Sequence, residues 1–125
     1  MSKPVKALIL IDHGSKVDEA NEMLKLISER IINRNDSSFD IIKYCHMEIA
    51  HPTLEDAFSE CIDNGANEIT VHPYFLVPGR HSKTDIPNMV NNILNKYPDI
   101  KCKISEPLGF HEQLIDIILE RSTNC

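Results

Sequence analysis

An open α/β fold, with a parallel four-stranded sheet and helices on both faces, is predicted by three features. Strand-like and helix-like segments alternate, strand first, four times over. The first strand is a continuous apolar run, as expected for a strand buried on both faces. No linker, low-complexity segment or internal repeat interrupts the 125 residues, so residues 1–125 read as a single domain. Such alternation implies right-handed crossovers.

The elements follow in order. Residues 5–11 form the first strand, which Asp12-His13-Gly14-Ser15 breaks. From Val17 a helix follows, with Ala20, Met23, Leu24, Ile27 and Ile31 at helical spacing. Residues 33–38 are a polar turn and 39–45 a second strand. Residues 46–51 connect to a second helix, with Pro52 suited to its first turn. Leu54, Ala57, Phe58, Cys61 and Ile62 form that helix's inner face, and Gly65 stops it. Residues 68–72 are the third strand and 73–84 a long loop with two prolines. Asp85 and Pro87 open a third helix, Met89, Val90, Ile93 and Leu94 form its inner face, and Pro98 ends it. Ile100, Cys102 and Ile104 alternate with Lys101 and Lys103, the period of a half-exposed edge strand. Pro107-Leu108-Gly109 is a turn, and Leu114, Ile115, Ile118 and Leu119 mark a last helix.

Thirteen Lys and Arg against nineteen Asp and Glu give a net charge of −6. That balance argues against nucleic acid and against an anionic membrane surface as partner. The apolar run at residues 7–11 is far too short for a membrane span or a signal-peptide core. A cytoplasmic protein is expected, with no support for organelle targeting at the N-terminus. The four cysteines are widely spaced, so no disulfide framework is expected. Cys61 and Cys102 read as core or half-core residues, and Cys125 has no assigned role.

In open sheets of this kind, ligands bind outside the carboxyl ends of the strands. All six histidines lie at or just beyond such ends: His13, then His46 and His51, then His72 and His81, then His111. Glu48, Arg80 and Glu106 share those loops. Neutral imidazole beside a carboxylate suits Fe, Co, Ni and Zn, and suits proton transfer near neutral pH. The cysteines are not spaced for a closed zinc site, so an open site with two or three exchangeable ligands fits better. His13 and His81 are favoured for it. Glu48 is equally placed to serve the site or to cap the next helix. His46, His51 and His72 read as hydrogen-bonding loop residues, and His111 as a cap for the last helix. Lys16, Arg80 and Lys83 are the local cations for an acidic ligand. The sequence has no G-x-S-x-G elbow, P-loop or G-x-G-x-x-G turn, which disfavours a serine hydrolase, ATP use and dinucleotide binding.

Four blocks, in order, resemble the small sirohydrochlorin chelatases. They are His13-Gly14-Ser15 with Glu19-Ala20-Asn21, His46-Met47-Glu48-Ile49-Ala50 with Pro52-Thr53, the run from Pro73 to His81 with Asp85-Ile86-Pro87, and Glu106-Pro107-Leu108-Gly109. The resemblance implies a chelatase-like fold and a class II chelatase. Such enzymes insert Co²⁺ or Fe²⁺ into sirohydrochlorin without ATP, for siroheme or cobalamin; some relatives act on Ni²⁺. It implies no cofactor beyond the substrate metal. It makes His13 and His81 the metal-handling pair and Glu48 the third catalytic residue. Ser15, Lys16, Arg80, Lys83, Phe75 and Leu76 become the expected substrate-binding set. His72, before Pro73, departs from the family pattern, and so does the lack of a cysteine-rich C-terminal extension like that of the plant-type iron enzymes. Many chelatases of this class hold the macrocycle between two similar lobes. One lobe would leave much of it exposed, whereas sites bury about 70–90% of a ligand, so an isologous homodimer is expected. The competing reading is a non-catalytic carrier of metal or tetrapyrrole, which needs the histidines but no proton acceptor.

Overall fold

The apolar run of the first strand takes the centre of the sheet. The computed structural model describes residues 3–125. In it, strands β1 (Lys6–Asp12), β2 (Ile41–His46), β3 (Glu68–Pro73) and β4 (Lys101–Ile104) form one parallel sheet in the order β2-β1-β3-β4. The helices are α1 (Asp18–Arg34), α2 (Leu54–Asp63), α3 (Ile86–Leu94) and α4 (Glu112–Thr123). The alternating strand–helix order and the edge position of β4 are as predicted.

The main core lies on one face of the sheet. Ala7, Ile9 and Ile11 of β1 pack there with Ile69 and Val71 of β3, Phe58 and Cys61 of α2, and Ile86 and Val90 of α3. Burying a side chain such as Phe58 contributes about 1.5–3 kcal/mol. Leu10 and Ile42 alternate to the opposite face. They are buried there, as is Leu24 of α1. Burial holds the thiols of Cys61 and Cys102 up at about 11, so they behave as small apolar groups. All four cysteines are free. No helix among the described residues is long and apolar enough to cross a membrane.

Two expectations are corrected, and two of the expected helices bury little of their apolar spacing. Pro52 does not enter the first turn of α2, because Thr53 is the N-cap. The Thr53 hydroxyl accepts from the Asp56 N–H and the Asp56 carboxylate accepts from the Thr53 N–H, at 3.1 and 3.0 Å. Two reciprocal bonds at the cap exclude a helix start one residue earlier. The long loop after β3 ends early, in a π-helical turn at His81–Asp85 that runs directly into α3. On α1 only Leu24 and Ser28 are buried, and Met23 is half-exposed. Finally α4 forms but buries none of its residues; Ile118 and Leu119 are 57% and 58% exposed. Its apolar periodicity is enough for a helix, but burial needs an opposing surface, which the described residues do not bring to it.

Two points of backbone and burial generate predictions. Gly14 leaves β1 at φ +95°, and a Cβ there would lie 2.0 Å from the Glu48 carbonyl oxygen. Gly65 has a similar φ, +94°, with nothing within 4 Å. In urea unfolding, Gly65→Ala should cost only backbone strain, about 1–2 kcal/mol. Gly14→Ala should add an overpacking cost of about 1–3 kcal/mol; equal losses would show that the contact relaxes freely. His72 lies with Nδ1 2.8 Å from the Ser105 hydroxyl, and burial pulls its pKa below the usual 6.5, against a smaller opposing effect of the Glu106 backbone. Below about pH 6.5 the unfolded chain therefore binds a proton that the folded chain refuses, and stability falls as pH drops towards the lowered value. His72→Gln should flatten that loss between pH 7 and 5, and an unchanged slope would exclude His72 as its source.

Candidate metal-handling site

The chain turns from β1 to β2 on one side, while β3 lies on the other. The carboxyl ends of β1 and β3 thus flank the topological switch point, where open α/β sheets bind ligands. His13 leaves β1 there, and the segment after β3 returns His81 to the same place. Their ring centroids are 4.9 Å apart, with planes tilted by 59°.

Glu48 arrives from β2. The β1–β2 pairing continues past the strand ends: the Met47 N–H donates to the Asp12 carbonyl and the Glu48 N–H to the His13 carbonyl, at 2.8 and 3.2 Å. This seats Glu48 Oε1 2.8 Å from His13 Nε2. Gly14 permits the close passage of the two loops. Ile49, next in the chain, has φ +75°, a strained backbone for a β-branched residue.

His81 is held differently. Its Nδ1 lies 2.9 Å from Asp85 Oδ2. Phe75 stacks on its ring, with centroids 6.1 Å apart and planes 27° from parallel. The side chains of His13, Glu48 and His81 are 42%, 59% and 47% exposed, so the site is open to solvent. It offers two imidazoles as borderline, exchangeable donors and one carboxylate as a proton acceptor. Among the described residues, no group of three or more His, Cys, Asp or Glu side chains converges into a metal cage.

The other sequence-predicted residues divide. Lys16, Arg80 and Lys83 are exposed and, among the described residues, take part in no ion pair. Lys16 shares an open cleft of about 530 Å³ with Ser15, Ile49 and His51, but also with the acidic Asp18 and Glu22. Ser15 is engaged within its own loop. Its hydroxyl accepts from the Val17 N–H, and its backbone pairs both ways with the Asn21 amide, at 2.8–3.0 Å. Phe75 is half-buried against the core, while Leu76 and its neighbour Val77 are exposed.

The remaining histidines are not brought to the pair. His46 is buried, with Nδ1 2.5 Å from Asp12 Oδ1, its N–H on the Pro52 carbonyl and its ring edge-on to Tyr44. His51 is exposed beside Asp56, His72 faces Ser105, and His111 caps α4 through the Gln113 N–H. Two carboxylates escaped the sequence reading. Asp12 breaks the first strand in the sequence pattern, and its partner lies thirty-four residues away. Asp85 marks a helix start, and its four-residue spacing from His81 is the signal for the pairing.

The CbiX family profile matches residues 7–125. The chloroplastic sirohydrochlorin ferrochelatase of Arabidopsis thaliana is 37% identical over 118 residues, covering 94% of this chain and 52% of that protein. The sirohydrochlorin cobaltochelatase of Sulfolobus acidocaldarius is 33% identical over 115 residues, covering 92% of this chain and 88% of that protein. The sirohydrochlorin chelatase SirB from Bacillus subtilis subspecies spizizenii, solved in complex with cobalt, superposes with a TM-score of 0.89 at 27% identity, over 96% of this chain and 50% of SirB. The chain therefore spans about half the length of the plant enzyme and of SirB, and most of the archaeal one. A profile match across nearly the whole sequence, a relative of similar length above 30% identity and a shared fold place this chain in the CbiX family.

Proposed function

We propose that this chain inserts Co²⁺ or Fe²⁺ into sirohydrochlorin without ATP. One observation carries the reading: His13 and His81 face each other across the switch point, rings 4.9 Å apart, with the Glu48 carboxylate 2.8 Å from His13. The names of the plant and archaeal relatives and the cobalt bound to SirB support it.

Insertion exchanges one M²⁺ for two pyrrole N–H protons. The metal must first shed water. His13 and His81 replace part of its hydration shell from one side and hold it weakly enough for transfer. As the metal–nitrogen bonds form, the Glu48 carboxylate accepts one pyrrole proton, hands it to the solvent that reaches this open site, and accepts the second in turn. Arg80 and Lys83, on the turn that carries His81, and Lys16 across the site pair with substrate carboxylates.

The working form in this proposal is an isologous homodimer, with a second copy covering the macrocycle. The apolar side chains of α4, none of them buried within the chain, support it. They offer an exposed apolar surface that dimerisation would remove from water.

With sirohydrochlorin and Co²⁺ or Fe²⁺ in an absorption assay, His13→Ala and His81→Ala should each abolish insertion at low metal. Near-normal rates in both would remove them as metal-handling residues. Glu48→Gln should lower kcat by about 10²–10⁴-fold if Glu48 accepts the proton. Arg80→Ala should chiefly raise KM. Stoichiometric binding without turnover by the unaltered protein would identify a carrier instead. In light scattering, the unaltered protein should have twice the chain mass and Ile118→Asp one chain mass; a dimer unaffected by Ile118→Asp would exclude α4 from the interface.

A further inference from the structure

The two histidines of the site are not equivalent. His13 Nε2 faces Glu48, and its Nδ1 lies 3.3 Å from the Gly14 carbonyl, at the edge of hydrogen-bond range. His81 has a carboxylate of its own, Asp85, 2.9 Å from Nδ1. The ordinary role for an acidic residue at this place would be to cap a helix. Asp85 is the residue before α3, but its backbone is already helical (φ −67°, ψ −47°) and its side chain makes no capping bond. The carboxylate is directed back to the imidazole instead.

The π-helical turn makes this possible. His81 opens the turn and Asp85 closes it, with the Ile86 N–H donating to the His81 carbonyl. Asp85 thereby joins a rigid helix start to a half-exposed ring. Phe75, stacked on that ring, fixes its plane. Other charged groups of the turn, Arg80 and Lys83, are exposed and form no ion pair among the described residues.

From this geometry we infer that Asp85 is the positioning residue of His81: it holds the proton on Nδ1 and leaves the Nε2 lone pair free for a metal ion. A carboxylate behind a ligating imidazole fixes its tautomer and orientation and raises its basicity. The inference rests on the metal-handling role proposed above and adds an asymmetry to it. His81 is ready to accept a metal as it stands, whereas His13 must first release Glu48. The same release frees the Glu48 carboxylate to accept a proton.

Two readouts test this in the full chain. The first needs no metal. At pH 8, the ¹⁵N shifts of the His81 ring should show a protonated Nδ1 and a bare Nε2, and Asp85→Ala should shift the ring towards the Nε2–H form usual in free histidine. A wild-type ring already protonated on Nε2 would overturn the proposal. The second is Co²⁺ titration by calorimetry. Asp85→Ala should raise Kd by about 10–100-fold, and Asp85→Asn, which keeps an acceptor for Nδ1–H, should fall between it and wild type. In a His81→Ala background, Asp85→Ala should change nothing further, because its effect passes through that ring. An unchanged Kd in the Asp85→Ala single variant, or an equal loss without His81, would overturn the positioning role. No Co²⁺ binding by the wild-type chain would instead overturn the metal reading, and the ¹⁵N shifts would still decide what Asp85 does to His81.

Discussion

Strand β1 pairs in parallel with β2 along one edge, from Ala7 to Asp12, and with β3 along the other, from Lys6 to Ile11. The rest of the molecule depends on that double pairing. It buries β1 on both faces, which only a continuous apolar run tolerates. It puts the carboxyl ends of three strands side by side, so that loops far apart in sequence open onto one place. It also continues beyond the strands, through the hydrogen bonds from Met47 and Glu48 to Asp12 and His13. Glu48 reaches His13 because the ladder runs on for two more residues. Gly14 is the residue on which this continuation turns, since any side chain there meets the opposing loop.

Much of this was legible in the sequence, for identifiable reasons. The strands and helices show in the spacing of apolar residues, and the strand ends show where the apolar runs stop at Asp12, His46 and Pro73. The placement of His13, Glu48 and His81 follows from the rule that binding residues gather after strands. What the sequence did not disclose depends on pairing across distance or on local backbone detail. The burial of His46 on Asp12 requires knowing that β1 and β2 are neighbours. The role of Asp85 requires the π-helical turn, because helical spacing alone is equally compatible with a cap. The exposure of α4 is a third kind of case. Amphipathic periodicity reports that a helix has an apolar face, not which surface covers it.

Electrostatics shape the site on two scales. The chain carries a net −6, and Asp18 and Glu22 border the cleft that holds Lys16. Lys16 therefore sits in a mixed field, whereas Arg80 and Lys83 ride on the turn beside His81. The carboxylates closest to the imidazoles act over hydrogen-bond distances and set how each ring is held.

The main apolar core and the candidate site share almost no side chains. Ile9, Phe58, Val71 and their neighbours lie between the sheet and α2 and α3, while His13, Glu48 and His81 stand half in water on loops beyond the strands. Substitutions that alter the donors, or their charge, leave the packing that holds the domain together untouched. Such an arrangement lets chemistry diverge among descendants of one ancestral scaffold, because new donor sets can be sampled without re-solving the folding problem. Phe75 is the exception: packed against the core and stacked on the His81 ring, it belongs to both regions at once, and that junction is where variation in the one is felt by the other.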